Sequence, residues 1–344
     1  MGGPPPPPQH SHARGGTREE AVARELAADV LAPAAGAVDA TGVLPSGHLD
    51  ALAAAGLYGL TGPRSSGGLG ADVATVAAVV EELAAGDLAT TFVWLQHLGV
   101  VVRVAAHGPP PVRARLADLC AGRLRAGIAL QAAVRPGPPA IRVRPDGGDL
   151  VLDGAVPWVT GWGAVDVVLV AARHGDDVVL VLADAVEGPT LAVGSQRMVA
   201  VQASATVELR LAGHRVPADR LVHRAPLAGW LAADAATLRV NGSLALGLAL
   251  RCTRLIGPSP LDGDLAAVRA RLDAATPEEL PDARAEAAAL AHRAAGALVA
   301  ATGSGAVRAG SDAERTAREA VFLLVFGSRP AIRASLLSRL GAAD

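Results

Sequence analysis

The spacing of apolar residues changes twice along these 344 residues, and this change constrains the fold more than any other feature. Up to about Arg125 they recur at helical spacing; from about residue 127 to 222 they fall in short β-branched runs; from Leu227 the helical spacing returns. A doubly wound sheet needs strands and helices in alternation, so that class is excluded. The order helical, β, helical implies an α+β protein, mostly α. Its expected parts are a Pro- and Gly-rich disordered tail (1–16), an N-terminal helical domain (17–126), a β-domain (127–226) and a C-terminal helical bundle (227–344).

Local signals place the elements. Thr17, with Glu20 three positions on, predicts a capped helix over "REEAVARELAADVLAPAAGAV". "SGHLDALAAAGLYGL" predicts a second, capped by Ser46 and ended by Gly56. The stretch that follows reads as two long helices, broken near Gly86 and closed at Gly108, with Glu81 and Glu82 on a solvent-facing surface. "AGIALQAAV", "AIRVRPDGGDLVLDGAV", "VDVVLVAARHGDDVVLVLAD" and "SATVELRLAGHRVP" are strand-like runs separated by glycine turns, and predict an antiparallel sheet.

Composition removes several function classes. A formal charge of −2 and a pI near 6.5 give no electrostatic footprint for nucleic acid or an anionic membrane. Cys120 and Cys252 are too few for a disulfide framework or a thiolate metal site, so no metal is expected and a reduced, cytoplasmic setting fits. Apolar runs such as "VDVVLVAA" fall short of the roughly 18 residues that span a bilayer.

Only 2% of the chain is aromatic, yet Trp158 and Trp162 lie four residues apart in "PWVTGWG". This element resembles one found in the acyl-CoA dehydrogenase family, as do "LAAAGLYGLTGPRSSGGLGAD" and "HRVPADRLV", in the same order and spacing. The resemblance covers about residues 17 to 344 and implies the family's fold: an N-terminal helical domain, a middle β-domain and a C-terminal four-helix bundle. It also implies FAD, with Trp158 and Thr160 against the flavin ring. Strand alternation would put the indole and the hydroxyl on one side. Trp162 has no such role and reads as packing. "TGSGAVRAGSDAERTAREAVFLLVFGSRPAIR" matches the family ungapped from Gly303 to Ile332, which makes Gly303, Ser304 and Gly305 cofactor candidates toward a neighbouring subunit. Arg254 is a candidate for the cofactor's pyrophosphate.

The family's catalytic base is a Glu, and here the match puts Gly327 at that position, after Phe326. The alternative position, at the start of the bundle, falls on Thr237 or Leu238. Asp234, about one turn earlier, is the nearest acid and a substitute base candidate. His97, beside Gln96, is the other catalytic candidate, because histidine exchanges protons near neutrality. "AVRPGPPA" replaces the family's Thr-Glu-Pro loop, with Val134 and Arg135 at the Thr and Glu positions.

Three readings follow. The first is an FAD-dependent oxidoreductase acting on the CH–CH group of an acyl thioester. The second is a flavin-dependent monooxygenase on the same fold, which needs no Glu. The third is a catalytically inactive scaffold or partner of a paralogous subunit. Ala- and Leu-rich helices over 229–256 and 280–302 have apolar surface for a homo-oligomer.

Overall fold

The computed structural model describes residues 16–135, 137–234, 237–327 and 329–342; the expected tail lies almost wholly outside them. Thr17 starts α1 (Arg18–Leu26) by accepting a hydrogen bond from the Glu20 N–H at 3.2 Å. A π turn at Ala27–Leu31 separates α1 from α2 (Ala32–Thr41), just ahead of Pro33, whose ring has no N–H to donate to the preceding turn. Ser46 is the first residue of α3 (Ser46–Ala54) rather than its cap, which is Pro45. Between α4 (Val73–Gly86) and α5 (Leu88–His107) the chain breaks at Asp87. This residue is extended (φ −144°), and its carboxylate accepts the Thr90 N–H at 2.8 Å. Short α6 (Pro110–Arg113) and α7 (Leu116–Cys120) lead into the sheet.

The strands are β1 (Ala126–Ala129), β2 (Ile141–Asp146), β3 (Asp149–Val159), β4 (Val167–His174), β5 (Asp177–Asp184), β6 (Leu191–Ser195), β7 (Val207–Pro217) and β8 (Leu221–Pro226). They lie in the order β6-β7-β3-β2-β4-β5-β8, with β1 on β4. The expected all-antiparallel sheet is corrected here: β1 and β2 both pair with β4 in parallel. Parallel neighbours need a crossover, and the helical turn α8 (Gln131–Val134) with the β2–β3 hairpin supplies it, where a run of strand alone was expected.

The C-terminal helices are α9 (Leu227–Asp234), α10 (Leu238–Ile256), α11 (Pro260–Ala274), α12 (Leu280–Thr302), α13 (Asp312–Val325) and α14 (Pro330–Arg339). Helices from both ends of the chain share one apolar core, running from Ala23 to Leu98 and from Leu238 to Leu336. The sheet has its own core, which takes in Val100, Val101 and Val104 of α5. Thus α5 belongs to both. It is apolar and long enough to cross a membrane, but 72% of that stretch is buried inside the protein, as expected of a central helix.

Close packing of α4 on α10 explains a second difference. A Cβ at Gly247 would sit 2.5 Å from the Glu81 carbonyl oxygen, so the two backbones meet only because residue 247 has no side chain. Glu81 and Glu82 are therefore interior, 4% and 5% exposed, not solvent-facing. Each is met by arginines: Glu81 by Arg269 at 2.7 Å, Glu82 by Arg254 at 2.8 Å and Arg24 at 3.0 Å. Helical periodicity placed them outward because it cannot see a second helix arriving from 160 residues away.

Candidate functional site

Backbone strain marks one place in the molecule. Among the described residues, three other than glycine have left-handed backbone: Trp158 (φ 64°), Val201 (φ 49°) and Ala205 (φ 45°). Such conformations cost about 1–3 kcal/mol each and persist where their surroundings impose them. Here the residues come together. After β3, the Gly161 N–H donates to Ser204 O at 2.8 Å and the Trp162 N–H to Ala205 O at 3.2 Å, tying the end of that strand to the loop before β7.

Trp158 and Thr160 part company at this point. The β3–β7 register slips between Val156 and Val159, and the left-handed turn at residue 158 breaks strand alternation. The indole stands 52% exposed, while Thr160 is 3% exposed. Thr160 Oγ1 lies 3.2 Å from Thr206 Oγ1, which lies 2.8 Å from Ser204 Oγ. Three hydroxyl protons thus serve two bonds, leaving one to donate elsewhere. Thr206 and Ser204 were invisible in the sequence, where they fall in an ordinary strand-like run.

The bundle approaches this strand end through α5. A Cβ at Gly161 would be 3.1 Å from Val93 Cγ1, and the next residue back, Phe92, faces the bundle. Its ring meets Phe322 at 5.1 Å and Phe326 at 5.0 Å between centroids, and those two stack at 5.5 Å. All three phenylalanines of the chain are in this cluster. Gly327 follows it with φ 61°, and a Cβ there would find only Asn241 Nδ2, 4.0 Å away. Adjacent residues of α5, Val93 and Phe92, therefore meet Gly161, three residues after Trp158, and Phe326, one residue before Gly327.

The remaining expected residues are placed as follows. His97 is 1% exposed; its Nδ1 accepts the Ala126 N–H at 3.1 Å, which makes Nε2 the donor to Leu119 O at 3.0 Å. Burial depresses its pKa to about 4. The neutral ring is committed to backbone on both sides. Gln96 donates to Phe92 O at 3.2 Å. Asp234 closes α9, and its side chain lies outside the described residues. Thr237 precedes α10, within 3.5 Å of Arg329 Nη2, and Leu238 is buried. Val134 ends α8, and Arg135 beside it is exposed. Trp162 is half-buried against the core of the sheet.

Arg254 is paired with Glu82 near the C-terminal end of α10. Gly303, Ser304 and Gly305 form the turn that ends α12, with Gly303 at φ 69°. Helices α10 and α12 run in the same direction, because Gly242 packs on Arg284 near the start of both. At 1.5 Å per residue, Arg254 is about 20 Å along the bundle from Asn241 and about 25 Å from Thr237. The expected cofactor residues thus fall at two separate ends of one chain.

A cleft of about 400 Å³ lies between α3 and the turn after β3, lined by Leu49, Arg123, Arg125 and Asp166 among others. Each of its charged side chains has a partner within the protein: Arg125 meets Asp50, Arg123 meets Asp118, and Asp166 accepts from the Arg125 N–H. No group of three or more metal-ligating side chains occurs among the described residues.

Comparison with known proteins bears on this geometry. Residues 19–123 match the model of the acyl-CoA dehydrogenase N-terminal domain. Over 162 residues the chain is 30% identical to 3-sulfinopropanoyl-CoA desulfinase of Variovorax paradoxus, covering 46% of this chain and 41% of that protein. The chain spans about half the length of the curated relatives it matches, probable acyl-CoA dehydrogenases among them. Its fold is shared with glutaryl-CoA dehydrogenase from Mycobacterium smegmatis in complex with FADH2 (TM-score 0.80, 19% identity, 95% and 94% of the two chains). It is also shared with nitrososynthase from Micromonospora carbonacea var. africana (TM-score 0.77, 23% identity, 94% and 96%).

Proposed function

We propose that this chain, which belongs to the acyl-CoA dehydrogenase family, binds FAD at the end of β3 and acts there on an acyl thioester. The observation that carries this reading is the strained junction of Trp158, Val201 and Ala205, which holds a half-exposed indole beside a buried hydroxyl trio with one proton to spare. A flat ring with a polar edge suits that pairing: Trp158 offers an aromatic surface and Thr160 a hydrogen bond. Bound there, FAD would supply a two-electron acceptor for hydride from the β carbon of the acyl chain. The Phe92, Phe322 and Phe326 cluster, reached across α5, offers apolar contact for that chain.

Oxidation of a CH–CH bond also needs a group to take the α proton. In this reading Asp234 takes it, since the positions at Gly327, Thr237 and Leu238 carry no carboxylate. Gly303, Ser304, Gly305 and Arg254, at the opposite end of the bundle, serve the cofactor of a second copy, which makes the protein a homo-oligomer.

The open space at Gly327 favours a second reading: flavin chemistry that abstracts no α proton, such as oxygen transfer or loss of an anionic leaving group. Two named relatives motivate it, a desulfinase and a nitrososynthase.

The experiment is an absorption spectrum of the purified chain followed by anaerobic addition of acyl-CoA. A flavin band that bleaches in the native chain and not in Asp234→Asn supports dehydrogenation. A band that bleaches in neither, with oxygen consumed when reduced flavin is supplied, supports the second reading. A chain that retains no flavin sinks both and leaves the inactive partner subunit.

A further inference from the structure

Four arginines lie inside the bundle, Arg239, Arg251, Arg284 and Arg315, and among the described residues only Arg284 has no carboxylate partner. Arg251, 5% exposed, donates to the carbonyl oxygens of Ala84 and Ala85, each at 2.9 Å, and is ion-paired with Glu319. Arg284, near the start of α12, is 1% exposed. Its Nη2 reaches Leu323 O and Phe326 O, both at the long distance of 3.3 Å, at the C-terminal end of α13. Its Nη1 is buried without a hydrogen-bond partner among the described residues. No carboxylate pairs with it among the described residues. On its own helix, Asp282 and Glu286 are taken by Arg271 and Arg339, and Asp273 nearby is taken by Arg239.

Partial charge at a helix C-terminus offsets at most about half of one positive charge. Burial, with the neighbouring Arg329 adding a second cation, lowers the Arg284 pKa to about 10, so it stays charged at neutral pH. An interior cation without a counter-charge is costly, and proteins retain one where something else completes it. Space exists beside it. Phe326, whose carbonyl Arg284 meets, precedes Gly327, where a side chain would find only Asn241 at 4.0 Å.

We propose that Arg284 forms an oxyanion subsite at this end of the bundle, one that takes a carboxylate at the end of the acyl chain remote from the thioester. The subsite stands on the bundle geometry alone; that its anion is carried by an acyl thioester rests on the function proposed above. A guanidinium fork matches the two oxygens of a carboxylate.

The test uses the full chain without regard to its flavin. Thermal unfolding is followed in butyrate, in its neutral isostere butyramide and in inorganic phosphate, all at fixed ionic strength. Butyrate is expected to raise the midpoint above both others, and Arg284→Met to abolish the difference. A midpoint equal in butyrate and butyramide overturns the subsite, as does a difference that survives in Arg284→Met; a larger rise in phosphate overturns the carboxylate assignment. The native comparison needs no variant, and Arg284→Gln serves where Arg284→Met does not fold. Succinyl-CoA should then bind about tenfold tighter than butyryl-CoA, the ratio expected of one charged hydrogen-bonded contact; equal binding overturns the placement at the acyl end. Loss of the flavin band sinks the earlier reading and leaves the butyrate result standing.

Discussion

Trp158 and Thr160 are two residues apart and differ in exposure by an order of magnitude, 52% against 3%, because the backbone at residue 158 is left-handed. That conformation suits glycine. In Trp158→Gly the strain is relieved and in Trp158→Ala it is kept, so glycine should be the more stable of the two by about 1 kcal/mol, against the usual order. Denaturant unfolding of both variants measures this. Both should lose flavin retention, since each removes the indole.

His97 makes the fold sensitive to acid. Its folded pKa, about 4, lies below the ordinary 6.5, so the unfolded chain binds the proton more readily. The stability it supports is complete above pH 6.5 and declines as pH falls toward 4, by on the order of 3 kcal/mol. Urea midpoints measured through this window should fall with pH in the native chain. In His97→Asn, less stable at neutral pH, the slope should flatten; an unchanged slope removes His97 as the cause.

Breaking the Arg251–Glu319 pair should cost more than replacing it. Glu319→Ala leaves the guanidinium buried against two carbonyls and Thr316 only, and is expected to cost about 3–5 kcal/mol. The double variant Arg251→Met with Glu319→Leu should recover much of that. A double-mutant cycle by chemical unfolding measures the coupling; additive losses would show that the pair does not act as a unit.

Two glycines should respond to alanine for different reasons. At Gly247 the added methyl group meets the Glu81 carbonyl oxygen at 2.5 Å and Ala84 Cβ at 2.7 Å, forcing α4 and α10 apart at a cost of about 1–3 kcal/mol. At Gly327 the space is open and only the φ of 61° resists, a cost of about 1 kcal/mol. Unfolding midpoints of Gly247→Ala and Gly327→Ala should rank in that order.

By itself the sequence determined the succession of helical, β and helical parts, the Thr17 cap, the break near Gly86 and the family resemblance, because each depends on neighbours in the chain or on short ordered motifs. It located Trp158 and Thr160, but not their separation, since alternation along a strand does not foresee a left-handed residue imposed by the loop before β7. Tertiary structure alone decided what meets what. Periodicity put Glu81 and Glu82 outside, and α10 turned that surface into interior. An arginine on an alanine-rich helix reads as solvent-facing until α13 closes over Arg284. His97 looked able to exchange protons until β1 and α7 brought backbone groups to both ring nitrogens. In each case the deciding partner lies far along the chain, where local propensity and spacing carry no information about distance in space.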